Sequence, residues 1–522
     1  MPPRKRGMGR GMITRIACGA LHGVDAFRVD LEVDFSRAGL PAFTMVGLAE
    51  GAVRESRDRV FAALRNGNLR LPPARITVNL APADRKKGGS SYDLPLAVGL
   101  LAASGALPLE ATDGYFLSGE LSLTGEVKRV TGALPLAILA RDQGAKGILV
   151  PTDNVREAAV VEGVSVYGVE SLGQAVGFFA GQLELTPEVP PLPGTADHKP
   201  GDSRFDFADV KGQEHAKRAV EIAAAGGHNL LFLGPPGSGK TMLAQRMPTV
   251  LPALSFEEAL QVTKIYSVAG LLPPGGGLME ERPFRAPHHT ISEYGLVGGG
   301  AYPRPGEVSL AHRGVLFLDE LLEFRKQTLE VLRQPLENGS VTIARAAQSL
   351  RYPADFMLLA AMNPCPCGYL SDPRRPCTCS QADIHRYRSR LSGPLLDRID
   401  LHVEVPAVPY DDLSNERPGK SSEDMRKAVE AARAIQVERF GKNDGKCNAD
   451  LSGRELERHC KLDVSGKSFL RDAVNALNLS ARAYTRILRI ARTIADLEDG
   501  AAIATRHLAE AVNCRALDRM RA

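Results

Sequence analysis

The chain has 522 residues, 44% apolar and 24% charged, a profile that excludes a disordered chain, a collagen-like fibre and a small disulfide scaffold. At roughly 150 residues per domain it has room for about three domains. Its 65 basic and 61 acidic residues leave a net charge of +4, a balance that demands no polyanionic partner by itself. Trp is absent and aromatics make up 5%, so base-stacking platforms are not a theme of the sequence. No window approaches the apolar length of a membrane span, and no signal-peptide run follows the basic start MPPRKRGMGR. Of the eight cysteines, four crowd between Cys365 and Cys379 and four are scattered. That distribution points to a reducing, cytoplasmic compartment with one candidate metal site, not to a disulfide framework.

Residues 13–181 read as an α+β domain. FRVDLEVDF (27–35) alternates like a half-buried strand, and ARITVNLAP (74–82) is a second strand. Val53, Val60, Phe61 and Leu64 recur at helical spacing, DLPLAVGLLAASG (93–105) reads as a buried helix stopped by Gly105, and KGILVP (146–151) as a short apolar strand. Residues 182–204 are rich in Pro and Gly and form a predicted linker. From 205 to 408 apolar strands alternate with helices, the pattern of a parallel sheet with crossover helices. A polar stretch, 409–422, is a second predicted linker. Helices are expected over 423–440, 452–459, 465–478, 480–497 and 505–518, making 423–522 a small all-helical domain.

Within the middle domain, NLLFLGPPGSGKT (229–241) runs an apolar strand into Gly234, Pro235, Pro236, Gly237, Ser238, Gly239, Lys240 and Thr241. This is a complete phosphate-loop pattern in its required strand-then-helix setting. Its glycines allow a tight loop whose amides surround phosphates, Lys240 can reach the β- and γ-phosphates of ATP, and Thr241 can ligate Mg²⁺. VLFLDE (315–320) is a buried strand ending in two acids: Asp319 suits the Mg²⁺ and Glu320 suits a general base acting on water. A third strand, FMLLAAMN (356–363), ends at Asn363, whose amide can orient the same water. Open parallel sheets collect ligands at their carboxyl ends, which accommodates all three strand ends.

Cys365, Cys367, Cys377 and Cys379 form C-x-C-x9-C-x-C. Four thiolates within fifteen residues suit tetrahedral Zn²⁺ as a structural ion, with iron–sulfur the lesser option. Arg282, Arg285, His288, His289 and Arg304 give the long segment between Lys240 and Asp319 a positive, hydrogen-bonding character. Adjacent histidines are expected to diverge, so a structural or substrate-facing role is favoured over a metal site there.

With these residues in hand, the chain resembles the magnesium-chelatase-like AAA+ ATPases, specifically the YifB/ComM family. The resemblance runs over nearly the whole length. It rests on GPPGSGKT (234–241), RPFRAPHHTIS (282–292), LFLDEL (316–321), AAMNPCPCGY (360–369), RSRLSGPLLDRIDLHVEVP (388–406) and LSARAYTRILRIARTIADLEDG (479–500). It implies an α/β AAA+ core carrying an insertion near 262–310, a four-cysteine loop at 365–379 and a C-terminal helical lid. It also implies that Arg398 is an arginine finger given in trans to a neighbour's nucleotide, that Arg482 is the sensor arginine of the lid, and that the assembly is a homohexamer.

The segments GGSSYDLPLAVGLLAASG (88–105) and 116–154 resemble the proteolytic domain of Lon-type proteases and, through it, ribosomal protein S5 domain 2. Ser91 falls at the nucleophile position. Leu134 and Pro135 stand where that group carries its general-base Lys, and Lys128 lies too early to replace it, so a binding or assembly role is expected. The family association with competence and recombination makes a DNA helicase or branch-migration motor the leading expectation, acting on single-stranded or branched DNA. The basic lid residues Arg482, Arg486, Arg489 and Arg492 offer phosphate contacts. A metal-chelatase motor subunit and a protein-remodelling ATPase are the alternatives.

Overall fold

Alternation in the first strands sets the N-terminal architecture. In β2 (Asp25–Ser36) Val29, Leu31, Val33 and Phe35 are buried on one face, and β2 pairs antiparallel along its whole length with β1 (Met12–His22). The computed structural model describes residues 12–48, 51–189, 205–300, 303–345, 348–370, 372, 374–409, 419–441 and 445–519. Most of the two predicted linkers therefore lies outside the described residues. β3 (Ala42–Val46), β4 (Arg75–Ala81), β5 (Tyr115–Leu117), β8 (Gly147–Pro151) and β9 (Ser165–Val169) complete a seven-stranded mixed sheet ordered β3-β4-β2-β1-β5-β8-β9. A small hairpin, β6 (Glu120–Leu121) with β7 (Val127–Lys128), stands apart.

Helix Asp93–Ser104 is buried on nearly every face and ends at Gly105, whose φ of +85° takes the left-handed turn expected of a helix-stopping glycine. Asp93 opens that helix fully buried, held bidentately by Arg59 at 2.7 and 3.0 Å. Ser90 Oγ meets the Glu120 carboxylate. Leu134 is buried at the start of helix Ala133–Asp142, its amide donating to Glu157 at 3.0 Å. Lys87, also buried, donates to the Gly47 and Pro82 carbonyls.

The chain divides into two compact units, one comprising the chain to Ala196 plus Phe256–Met279, the other Asp197–Ser255 plus Glu280–Ala522. Part of the insertion expected near 262–310 thus packs with the N-terminal unit. The cause is local. Helix Phe256–Ala269 sets Ser267 against Glu157, the Gly132 amide donates to the Ser267 carbonyl at 3.1 Å, and Leu260 and Leu278 pack on the apolar cluster around Leu136 and Ile148.

The second unit is built on five parallel strands: β10 (Leu230–Leu233), β11 (Phe284–Arg285), β14 (Val315–Leu318), β17 (Met357–Met362) and β18 (Leu401–Glu404), ordered β11-β14-β17-β10-β18. β10, β14 and β17 are buried at every position, as uninterrupted apolar runs covered on both faces must be. Two antiparallel ladders flank it: β12 (Gly298–Gly299) with β13 (Arg304–Pro305), and β15 (Ser340–Arg345) with β16 (Gln348–Pro353). Gly298 and Gly299 thus belong to a ladder.

Helices Ser422–Phe440, Gly453–His459, Val464–Ala476, Ala481–Leu497 and Thr505–Asn513 form the largely helical C-terminal region, with a last short helix at Ala516–Arg519. The arginines of Ala481–Leu497 meet internal acceptors. Arg486 bonds Asp400 at 2.9 Å, Arg489 the Leu451 carbonyl at 2.7 Å, and Arg492 both Asp496 and the 500–501 carbonyls. For Arg486, Arg489 and Arg492 this corrects the expectation of side chains ready for DNA phosphates, since carboxylates and carbonyls of the same unit engage them; Arg482 stays exposed.

Asp496 is 1% exposed and accepts from Arg439 at 2.7 and 2.8 Å, from Arg492 at 3.1 Å and from Asn448 at 2.7 Å. Asp496→Ala leaves two buried guanidinium groups without their counter-charge, an expected loss of about 3–5 kcal/mol. A clear fall in the thermal unfolding midpoint checks this.

Candidate nucleotide site and metal centre

Register brings the strand ends together. β10 and β17 pair Leu233 with Met362, and β17 and β14 pair Ala360 with Leu318, so Gly234, Asn363 and Asp319 leave the sheet at one edge. Gly234 has no room for a side chain: a Cβ there would lie 2.1 Å from the Val405 carbonyl oxygen. Gly237 and Gly239 take φ of +75° and +92°, turning the Pro235–Gly239 loop back on itself. The Lys240 ammonium donates to the Gly234 and Pro235 carbonyls, both at 2.8 Å, and to Asn363 Oδ1 at 3.4 Å. Burial lowers the Lys240 pKa and nearby Asp319 opposes the shift. Thr241 Oγ1 donates to Asp319 Oδ2 at 2.7 Å.

This donor set fits a nucleotide with a divalent cation. A hydroxyl and a carboxylate already converge where Mg²⁺ needs hard oxygen ligands, and the buried Ser238 Oγ has no protein partner. Glu320 sits in the left-handed region at φ +50°, its amide donating to Asp319 Oδ1 at 2.9 Å, and its carboxylate is more than half exposed.

A partner of Glu320 comes from a residue expected to have a structural or substrate-facing role. β11 pairs Arg285 with Leu316 of β14; four residues further on, His289 lies beside Glu320, with Nδ1 3.4 Å from Oε2. His288 and His289 do not diverge as expected: their ring centroids are 4.1 Å apart. The signal was available in the equal offset of the two residues from their strands, but only once the strands were known to be neighbours. Arg282 and Arg285 are engaged locally. Arg282 donates to the Pro252 and Arg313 carbonyls, and Arg285 forms a bidentate pair with Glu307 at 2.6 and 2.8 Å. Arg304 is exposed in β13.

Arg398 and Arg482 lie near each other, and their acidic partners are distinct from the groups that Lys240 bonds. Arg398 pairs with Glu337, and its backbone carbonyl accepts from Asn229 Nδ2 at 2.8 Å. Burial, with Arg333, Arg482 and Arg486 nearby, lowers the Arg398 pKa. Arg482 reaches Asp397 at 2.8 Å from an exposed position. Asp400, fully buried, would be raised by that burial, but His228, Arg486 and Arg489 hold its carboxyl down at about 2.

The four clustered cysteines meet. Cys365 Sγ lies 3.3 Å from Cys367 Sγ and 3.6 Å from Cys377 Sγ, Cys367 and Cys377 are 3.6 Å apart, and all four sulfurs lie within 4.8 Å of one another. Tetrahedral Zn–S bonds of about 2.3 Å place sulfurs about 3.8 Å apart, so the cage fits such an ion. The Cys367 amide donates to Cys379 Sγ at 3.3 Å and the Cys379 amide to Cys377 Sγ at 3.4 Å, contacts that favour thiolates. The Tyr369 and Thr378 amides pull the Cys367 thiol down to about 5, while burial pushes Cys365 up to about 12.

Comparison with known proteins places this geometry. Models of the magnesium chelatase subunit ChlI match residues 31–154 and 206–413, and a model of its C-terminal region matches 419–515. The chain is 46% identical over 501 residues to competence protein ComM of Haemophilus influenzae, covering 95% of this chain and 96% of that one. It is 45% identical over 499 residues to YifB of Escherichia coli, with the same coverage. The magnesium-chelatase 38 kDa subunit of Rhodobacter capsulatus is more distant, at 24% over 335 residues, 58% of this chain and 84% of that one. A phosphate loop and an acidic strand end meeting at one sheet edge, with this similarity over nearly the full length, show that the chain belongs to the YifB/ComM family of magnesium-chelatase-like ATPases.

Proposed function

We propose that the protein is a cytoplasmic AAA+ ring motor, a homohexamer that couples ATP hydrolysis to helicase or branch-migration work on single-stranded or branched DNA during recombination of incoming DNA. The observation that carries the ATPase part is the 2.7 Å contact between Thr241 and Asp319 beside the buried Lys240 ammonium. In this reading the loop Gly234–Thr241 holds the phosphates, Thr241 and Asp319 hold Mg²⁺, and that ion neutralises phosphate charge. Glu320 takes a proton from the attacking water while Asn363 orients it. Support for the DNA part is the similarity to a protein named for competence. No helix among the described residues is long and apolar enough to cross a membrane.

The N-terminal unit is read as a Lon/S5 domain 2-type fold without the protease base, and 423–522 as the lid. The lid arginine Arg482 acts as sensor, and Arg398 as the finger for a neighbouring copy; to serve there it must leave Glu337. Cys365, Cys367, Cys377 and Cys379 hold structural Zn²⁺.

Three outcomes follow. Lys240→Ala should abolish nucleotide binding, whereas Glu320→Gln should bind ATP and lose about 10²–10⁴-fold in turnover; equilibrium binding and phosphate release separate the two. Arg398→Ala and Lys240→Ala proteins should each be inactive alone and recover ATPase activity when mixed, because mixed interfaces pair an intact loop with an intact finger. An Arg398→Ala protomer that hydrolyses ATP at full rate without assembling would end the ring reading. ATP turnover should rise with forked or four-way DNA and displace strands, and the stimulation should fall steeply with salt. Hydrolysis indifferent to DNA but raised by a protein client would favour a remodeller.

A further inference from the structure

The cysteine loop does more than fold on itself. β17 ends at Met362, Asn363 follows it directly, and the buried Cys365 lies two residues beyond Asn363. The Gly368 amide donates to the Cys365 carbonyl at 3.0 Å, and Gly368 takes φ of +87°, turning the chain sharply back. That turn lands on the phosphate loop. A Cβ on Gly368 would lie 2.6 Å from Pro236 Cδ, 2.9 Å from Pro236 Cγ and 3.9 Å from Asn363 Cγ. The far arm of the loop is anchored too: after Cys379, Ser380 caps helix Gln381–Arg388, and Arg388 Nε returns to the Pro364 carbonyl at 3.1 Å.

We propose that the four-cysteine loop, closed by a thiolate-bound cation of the zinc class, braces the phosphate loop by pressing Gly368 against Pro236, so that occupancy of the metal centre governs nucleotide affinity. The inference rests on reading the four cysteines as a metal centre and adds a regulatory consequence to it. Cys365, Cys367, Cys377 and Cys379 would hold such a cation together, and it would supply the tie between the two arms of the loop. Gly368 then has one place to rest, and Pro236, fixed in φ by its own ring, transmits that contact into the loop backbone that must wrap phosphates. Without the cation, four sulfurs at these separations have no common counter-charge, the turn at 368 is released, and the phosphate loop loses one wall. Because Asn363 lies against the same turn, the water-orienting amide is braced along with it.

The experiment uses the full-length protein in excess Mg²⁺. Zinc is quantified by elemental mass spectrometry, and affinity for a fluorescent ATP analogue is measured before and after zinc is stripped with a thiol-directed mercurial and reversed with thiol. We expect one zinc per chain, an affinity about tenfold weaker after stripping, and recovery on adding Zn²⁺. Gly368→Ala should keep its zinc and its far-ultraviolet circular dichroism yet bind the analogue about tenfold more weakly, since its Cβ displaces Pro236. The double variant Cys377→Ser, Cys379→Ser should lose both metal and affinity. If zinc is present but stripping it and Gly368→Ala both leave affinity unchanged, the brace is wrong and the metal centre stands. A protein as isolated that holds no metal and takes up none would remove the metal centre and the brace together.

Discussion

The parallel register of β14, β17 and β10 is the constraint on which the rest of the second unit depends. Three apolar runs with no polar position of their own must be covered on both faces, and their lateral alignment decides which residues emerge together at the carboxyl edge. A shift of one residue in any of them would turn its side chains over and carry Asp319, Asn363 or Gly234 out of reach. The Thr241–Asp319 and Lys240–Asn363 contacts are thus results of sheet pairing before they are features of a site. The same logic extends to the edge strand β11, which delivers His289 to Glu320 by equal offset from paired residues.

At the opposite, amino end of β10 a second set of contacts ties the C-terminal helices to the segment that carries Arg398. Asn229 precedes β10, holds the Arg398 carbonyl and receives the Leu358 amide. Arg486 grips Asp400 and Arg482 grips Asp397, so residues 397–400 are held between the start of a core strand and the helix Ala481–Leu497.

What could be read from the sequence divides along physical lines. The strands at 27–35, 74–82 and 146–151, the helix stopped at Gly105 and the C-terminal helices were legible because each is specified by its own periodicity or terminator. The residues of the candidate nucleotide site stood out because the phosphate loop and the acidic strand end are contiguous motifs. β1, β5 and β9 were not: β1 is broken up by small residues, and Gly19 there serves close packing, with Leu136 Cδ2 only 2.4 Å from where a Cβ would be. β5 spans three residues and β9 contains Gly168, so neither presents a sustained alternation. The pairings of Arg398 with Glu337 and of Gly368 with Pro236 join residues far apart in sequence, and no local pattern announces them. Arg486, Arg489 and Arg492 were misjudged for a related reason: a basic helix shows its charge in the sequence but not the carboxylates and carbonyls folded against it.

The chain passes between its two units three times: after Ala196, after Ser255 and after Met279. The N-terminal unit is therefore not a pendant that can be clipped off. A truncation at Ala196 would keep helix Phe256–Ala269 but delete the surface it covers, stripping Ser267 of Glu157 and opening Leu260 and Leu278 to water in the middle of the surviving polypeptide. Such a fragment would carry a sticky loop of its own making, and aggregation of an isolated ATPase half would report on this severed packing instead of on the competence of the nucleotide pocket.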